Sequence, residues 1–201
     1  MASESLSEEI LDQHALHMAN ELLLWGSSLD VTFGKLKLVA FYLVQDNLNI
    51  SDDVLSEIHE NYSYTILDQN STYQHIRQAI LSENLSTLQL INQYIAFPVH
   101  YHPSEINCTP KALILEMFLS TWSDEVDSDE NYLTILVSID PKCYLYFLEF
   151  LCYHWQNKRL HKTVALENMI YVTRHEKLDF KDTALNLLAY CLKQEGSLVN
   201  A

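Results

Sequence analysis

Nine histidines and four cysteines are the residues of this chain best suited to hold a metal. A zinc site needs three or four ligands that converge, so each close pair must find partners elsewhere. His14 and His17 fall at i, i+3 of a predicted helix, His100 and His102 flank Tyr101, and Cys152 lies beside His154. None of these groups brings more than two ligands together. His175-Glu176-Lys177-Leu178-Asp179 begins like the H-E-x-x-H helix of zinc proteases, but Asp179 stands where the second histidine belongs. Asp127, Asp129 and Asn131 fit the first ligand positions of a calcium loop. Tyr132 then replaces the turn glycine and Ser138 the bidentate glutamate. No metal or other cofactor is expected. For nucleophilic catalysis there is no G-x-S-x-G and no cysteine in a catalytic context. A triad whose members meet only in space leaves no such signature, but the reading from the residues is a non-enzyme.

The elements that carry these residues are helical. The chain has 201 residues, 48% hydrophobic and 19% charged, enough to bury a substantial core. With only three glycines and four prolines, turn-rich all-β folds and multi-glycine phosphate loops are disfavoured. The cysteines form no C-x-x-C pair and read as reduced core residues. Met1 to Glu9 is polar and acidic, unlike a secretory or mitochondrial leader. No apolar run reaches membrane-spanning length, so no membrane insertion is expected. A net charge of −15 argues against direct nucleic-acid binding, which needs clustered Lys and Arg. The deficit of base is greatest in residues 1–100, while Lys158, Arg159, Lys162, Arg174, Lys177 and Lys181 make the later region locally basic. That region reads as a solvated face of mixed sign, with a docking patch as the alternative.

Residues 71–122 organise the chain. Ser71-Thr72-Tyr73-Gln74 and Ser86-Thr87-Leu88-Gln89 are capping boxes opening two short helices. Their apolar faces are Tyr73, Ile76, Ile80 and Leu88, Ile91, Ile95. Pro98, Pro103 and Pro110 hold the next segment out of helix until Thr109 caps another, with Leu115, Phe118, Leu119 and Trp122 as its stripe. Before this region, a capping box at Ser5 opens a helix with the stripe Leu11, Ala15, Met18, Leu22, Trp25, ending near Gly26. Asp30 caps a second helix with Phe33, Leu36, Ala40 and Leu43 inside, where Gly34 marks either a close crossing or nothing. Ser51 starts a third with Leu55, Ile58 and Tyr62. After an acidic loop, Ser123 to Glu130, Tyr132 to Ile139 fits strand or helix, and the helical surroundings favour helix. Asp140-Pro141 caps a helix apolar on nearly every side, the expected centre of the second half. Thr163 to Val172 and Asp179 to Leu192 form a final pair, the last with Ala184, Leu188 and Cys191 in line. The expectation is all-α: one domain over 1–195, an irregular, solenoid-like array of eight to ten helices, with a frayed tail at 196–201.

The segment "STYQHIRQAILSENLSTLQLINQYIAFP", a proline-bearing break, and "TPKALILEMFLSTWSDE" together resemble the ELYS-like nuclear pore complex assembly domain. The matching positions are Gln74, His75, Ala79, Leu81, Leu88, Tyr94, Pro98 and Leu115. The later "YLYFLEFLCYHWQNKRLHK" is similar to a further helix of that family, and the match extends from about Leu36 to Leu192. The resemblance implies a helical domain docking on the Y-shaped outer-ring complex of the nuclear pore, hence a location at the nuclear envelope. The N-terminal propeller and basic DNA-binding tail of long animal members have no counterpart in this sequence. The likeness is to the short fungal form, without chromatin recruitment.

Two functions follow as expectations. One is a structural nucleoporin or pore-assembly factor with outer-ring nucleoporins as partners. The other is an acidic helical adaptor or chaperone for a basic client such as a ribosomal protein or histone. Phe97, Val99, Tyr101 and His102 are the candidate partner-binding residues. They are large groups in a non-helical crossing, where they either pack across the array or stand open to a partner.

Overall fold

A computed structural model describes residues 2–29, 33–61, 98–120, 137–178 and 180–196. Among these the protein is mostly helical: seven α-helices, one 3-10 helix and a two-stranded ladder. The central helix, α5 (Pro141–Trp155), starts as its sequence dictates. The Asp140 carboxylate accepts from the amides of Lys142 (3.0 Å) and Cys143 (3.3 Å), and Pro141 occupies the first turn, where its missing N–H costs nothing. Every residue from Pro141 to Cys152 is buried. Two of them are charged, and both are paired: Lys142 with Glu176 and Glu149 with His59.

The helices before α5 are α1 (Ala2–Leu29), α2 (Phe33–Val44) and α3 (Leu48–Asn61). Helix α2 is buried on two sides. Leu36, Val39, Ala40 and Leu43 join the main core, while Leu38, Phe41 and Tyr42 face α1 through Ala19 and Leu23. Gly34 is where the two helices touch: a Cβ there would lie 2.8 Å from Ser27 Cα and 2.9 Å from the Gly26 carbonyl. The close-crossing reading of this glycine is the one observed. Helix α2 ends in a Schellman turn, with Asp46 left-handed (φ 59°), Asp46 N–H donating to Leu43 O and Asn47 N–H to Tyr42 O. Helix α3 then starts at Leu48, three residues before the expected Ser51, whose hydroxyl instead donates back to Asn47 O.

Two short strands replace expected helix or coil. β1 (Val99–Tyr101) pairs antiparallel with β2 (Val137–Ile139), Val99 opposite Ile139 and Tyr101 opposite Val137. The alternation is simple: Val99, Tyr101, Val137 and Ile139 point inward, His100 and Ser138 outward, where they bond at 2.7 Å. The preference for helix over Tyr132 to Ile139 is therefore corrected at 137–139. Non-local pairing satisfies that backbone, and β-branched residues suit it.

Between the strands lie the 3-10 helix (Pro103–Cys108) and α4 (Lys111–Ser120). Thr109 does not cap α4 with its side chain. Its hydroxyl donates to Glu105 O (2.7 Å) and closes the 3-10 helix. After α5, Asn157 repeats the left-handed Schellman ending (φ 57°), and α6 (Arg159–His175) runs back along α5, burying Ala165, Met169 and Val172. Helix α7 (Lys181–Gln194) buries Ala184, Leu187, Leu188 and Cys191, with Ala184, Leu188 and Cys191 in line as expected. One apolar cluster takes residues from α2 to α7 and both strands. Helix α1 stands apart from it, packed on α2, while α5 joins α2 to α6 and α7 packs on both α5 and α6.

Several sequence expectations fall outside the described residues: the helix pair at 71–96, Tyr62, Phe97, Trp122, the 123–130 loop, and the side chains of Leu11, Phe33, Leu115, Phe118 and Leu119. Asp30 and the 197–201 end of the tail do as well.

Candidate docking surfaces

Helix α1 carries Met18, Leu22 and Trp25 of the predicted stripe on its side away from α2. Met18, Leu22 and Trp25 are 52%, 62% and 67% exposed, and Ala15 is exposed as well. Ala19, Leu23, Gly26 and Ser27 contact α2 from the other side of the helix. Asn20 adds to that contact by accepting from the Tyr42 hydroxyl (2.9 Å). The exposed row steps by four and three residues, the spacing with which one helix meets another along a seam. The 28 residues of α1 include five Asp or Glu and no Lys or Arg.

A second exposed row lies on α6, which packs on α5 and α7. Leu160, Val164 and Tyr171 are 74%, 47% and 59% exposed. Arg159 and Arg174, both exposed, bracket it. Reading the helix from Thr163 left Leu160 outside it. The signal was present in Leu160 and Val164 at i, i+4, but the lysines and arginines around them read as a solvated face.

Beneath Leu160 and Val164 is a hollow of about 290 Å3, walled by α3, α5 and α6. On its walls the His59 Nε2 bonds the carboxylate of Glu149, whose side chain is only 7% exposed. That bond raises the His59 pKa above its ordinary value, partial burial opposes it, and the negative charge of Glu149 adds to the rise. Burial raises Tyr153, on the same wall, so its hydroxyl stays protonated at neutral pH. Its ring meets His161 at 5.3 Å. The pair could orient an imidazole for proton transfer, but its evident work is to neutralise a carboxylate in the middle of a buried helix.

The pair has a pH signature. His59 binds its proton more tightly folded than unfolded, so its stabilisation is complete below the unfolded pKa near 6.5 and is lost as pH rises through the folded value. His59→Gln should therefore lower the melting temperature more at pH 5.5 than at pH 8.5. Equal losses at both would show that the proton carries none of the effect.

The partner-binding residues expected from sequence are not in either row. Val99 and Tyr101 are 0% and 1% exposed, inside the core, so the packed reading of the crossing applies to them and they are withdrawn as contact residues. The Tyr101 hydroxyl bonds that of Tyr144 (2.9 Å), and the Lys37 ammonium lies 4.7 Å from the Tyr101 ring centre. His102 is half-buried and caps the 3-10 helix: its Nδ1 accepts from Ser104 N–H, and its own amide donates to Glu105 (2.8 Å). Phe97 lies outside the described residues.

The other chemical candidates disperse. His14 and His17 are exposed on α1, and His175 stacks on Tyr171. Cys152 donates its thiol to Leu48 O while His154 stacks on Phe150. Among the described residues no three His, Cys, Asp or Glu gather as a metal would require. Burial pushes the Cys143 and Cys152 thiols up to about 12, which leaves them protonated and weakly nucleophilic at neutral pH. A larger cleft of about 760 Å3 opens between the α2–α3 turn, the 3-10 helix, α4 and α5. Its lining is mainly apolar, including Leu43, Ile106, Ile114 and Trp155, with Asp46 and Lys111 at its edge. No helix among the described residues is long and apolar enough to cross a membrane. No family model, curated protein or solved structure matches the chain.

Proposed function

We propose that the chain is a structural, non-enzymatic docking protein of the nuclear pore, a solenoid-like helical scaffold that joins the outer ring through exposed apolar helix faces. The observation that carries the docking role is the pair of exposed apolar rows on α1 and α6, two helices that do not pack on each other through those rows. Rows of large apolar side chains at helical spacing are costly to leave in water and serve contact with another protein. The nuclear pore enters through the resemblance of residues 71–122 to the ELYS-like assembly domain. The mostly helical fold is compatible with it.

On this reading, docking on the outer ring sets the protein's location. A fluorescent fusion should mark the nuclear envelope as a punctate ring and remain there after a high-salt wash of permeabilised cells. Apolar docking resists that wash, whereas an electrostatic client complex does not. Diffuse cytoplasmic signal, or nucleolar signal lost in salt, would overturn this reading in favour of an acidic chaperone.

A further inference from the structure

We infer that the two exposed rows fit each other: the α1 row of one copy seats on the α6 row and hollow of the next, joining copies head to tail. The inference rests on the reading of these rows as docking faces. Charge selects the occupant. Helix α1 holds five acids and no Lys or Arg, with Glu21 exposed beside Leu22 and Trp25. Two α1 helices brought together would set two acidic helices against each other. Helix α6 has the opposite balance, with exposed Arg159 and Arg174 at the ends of its row and Glu167 as its one acid. Two α6 helices would repel in turn. The unlike pairing sets an acidic helix against one with exposed arginines while covering both apolar rows.

Shape agrees with charge. The large side chains of the α1 row, Met18 and Leu22, are 52% and 62% exposed. The α6 row borders a hollow of about 290 Å3 whose rim is Leu160 and Val164, so a side chain projecting from α1 has a recess to enter. Glu167 falls between Val164 and Tyr171, which concentrates the apolar contact at the Leu160 end, over the hollow. Because the two faces differ, the contact is heterologous. Each assembly retains one open α1 face and one open α6 face, on its two terminal copies, and growth continues until a ring closes or another protein caps an end.

Sedimentation of the purified full chain tests this. The parent should gain average mass with concentration. Leu22→Glu and Leu160→Glu should each remain at the 23.3 kDa of one chain. Mixed one to one, they should form a dimer and nothing larger, because one supplies the intact α6 face and the other the intact α1 face. Met18→Glu and Val164→Glu replace either variant if its melt shows that it has not folded. A parent that stays monomeric at all concentrations overturns the inference. So does a Leu160→Glu chain that still pairs, which would mean that α1 binds α1, or a mixture that remains monomeric. Loss of the nuclear-rim signal in cells would leave all these sedimentation outcomes unchanged, so the two readings fail separately.

Discussion

Tyr101→Ala should lower the unfolding free energy by about 3–5 kcal/mol, the loss typical of truncating a fully buried aromatic. Tyr101 is 1% exposed and fills the space between β1 and α5. Its ring meets that of Tyr144 edge-on at 6.0 Å, and the two hydroxyls bond each other at the centre of the core. Truncation thus leaves a cavity and also strands the Tyr144 hydroxyl without its partner. Tyr101→Phe isolates the second effect and should cost about 1–3 kcal/mol, the penalty of one unsatisfied buried polar group. Urea denaturation of both variants measures the two contributions. An unchanged midpoint for Tyr101→Ala, joined to a loss of partner binding, would restore this tyrosine as a contact residue.

Gly34→Ala should destabilise the protein although alanine is the better helix former by about 1 kcal/mol. The added Cβ meets backbone, 2.8 Å from Ser27 Cα and 2.9 Å from both the carbon and the oxygen of the Gly26 carbonyl. Backbone cannot rotate aside as a side chain does, so α1 must move off α2. Ala19 and Leu23 then lose contact with Leu38, Phe41 and Tyr42. Overpacking of this kind costs about 1–3 kcal/mol, enough to cancel or exceed the propensity gain. Gly26→Ala is the internal control. Its Cβ would meet nothing within 4 Å, so the same substitution eight residues away should stabilise. Melts of the two variants should therefore shift in opposite directions, and a parallel shift would rule out the close crossing.

The parts of the fold that were legible in the sequence are those fixed locally. Asp140-Pro141 announces a helix start because a capping carboxylate and a first-turn proline act within four residues. Tyr144 to Leu151 announces burial because it leaves no polar face to turn outward. Periodicity grouped Met18, Leu22 and Trp25 correctly but could not say whether that group faces in or out. The choice was made by Gly34 and Tyr42, whose contacts with the other side of α1 are tertiary. The strands escaped for a related reason. Three residues show too little alternation to register, and β1 finds its partner 38 residues away. His59 and Glu149 are 90 residues apart, so nothing local joins them. A single glutamate inside an otherwise apolar helix was the one available sign, since a buried carboxylate requires a partner.

Both apolar rows are proposed to act as docking faces rather than as parts of the core, and a chain carrying Leu22→Glu together with Leu160→Glu tests that claim most directly. Both side chains face solvent, so their replacement should leave the melt close to that of the parent, within the small range usual for surface sites. A fluorescent fusion of this folded double variant should lose the nuclear-rim ring and spread through nucleus and cytoplasm. A ring of undiminished intensity, from a variant that melts like its parent, would contradict the account.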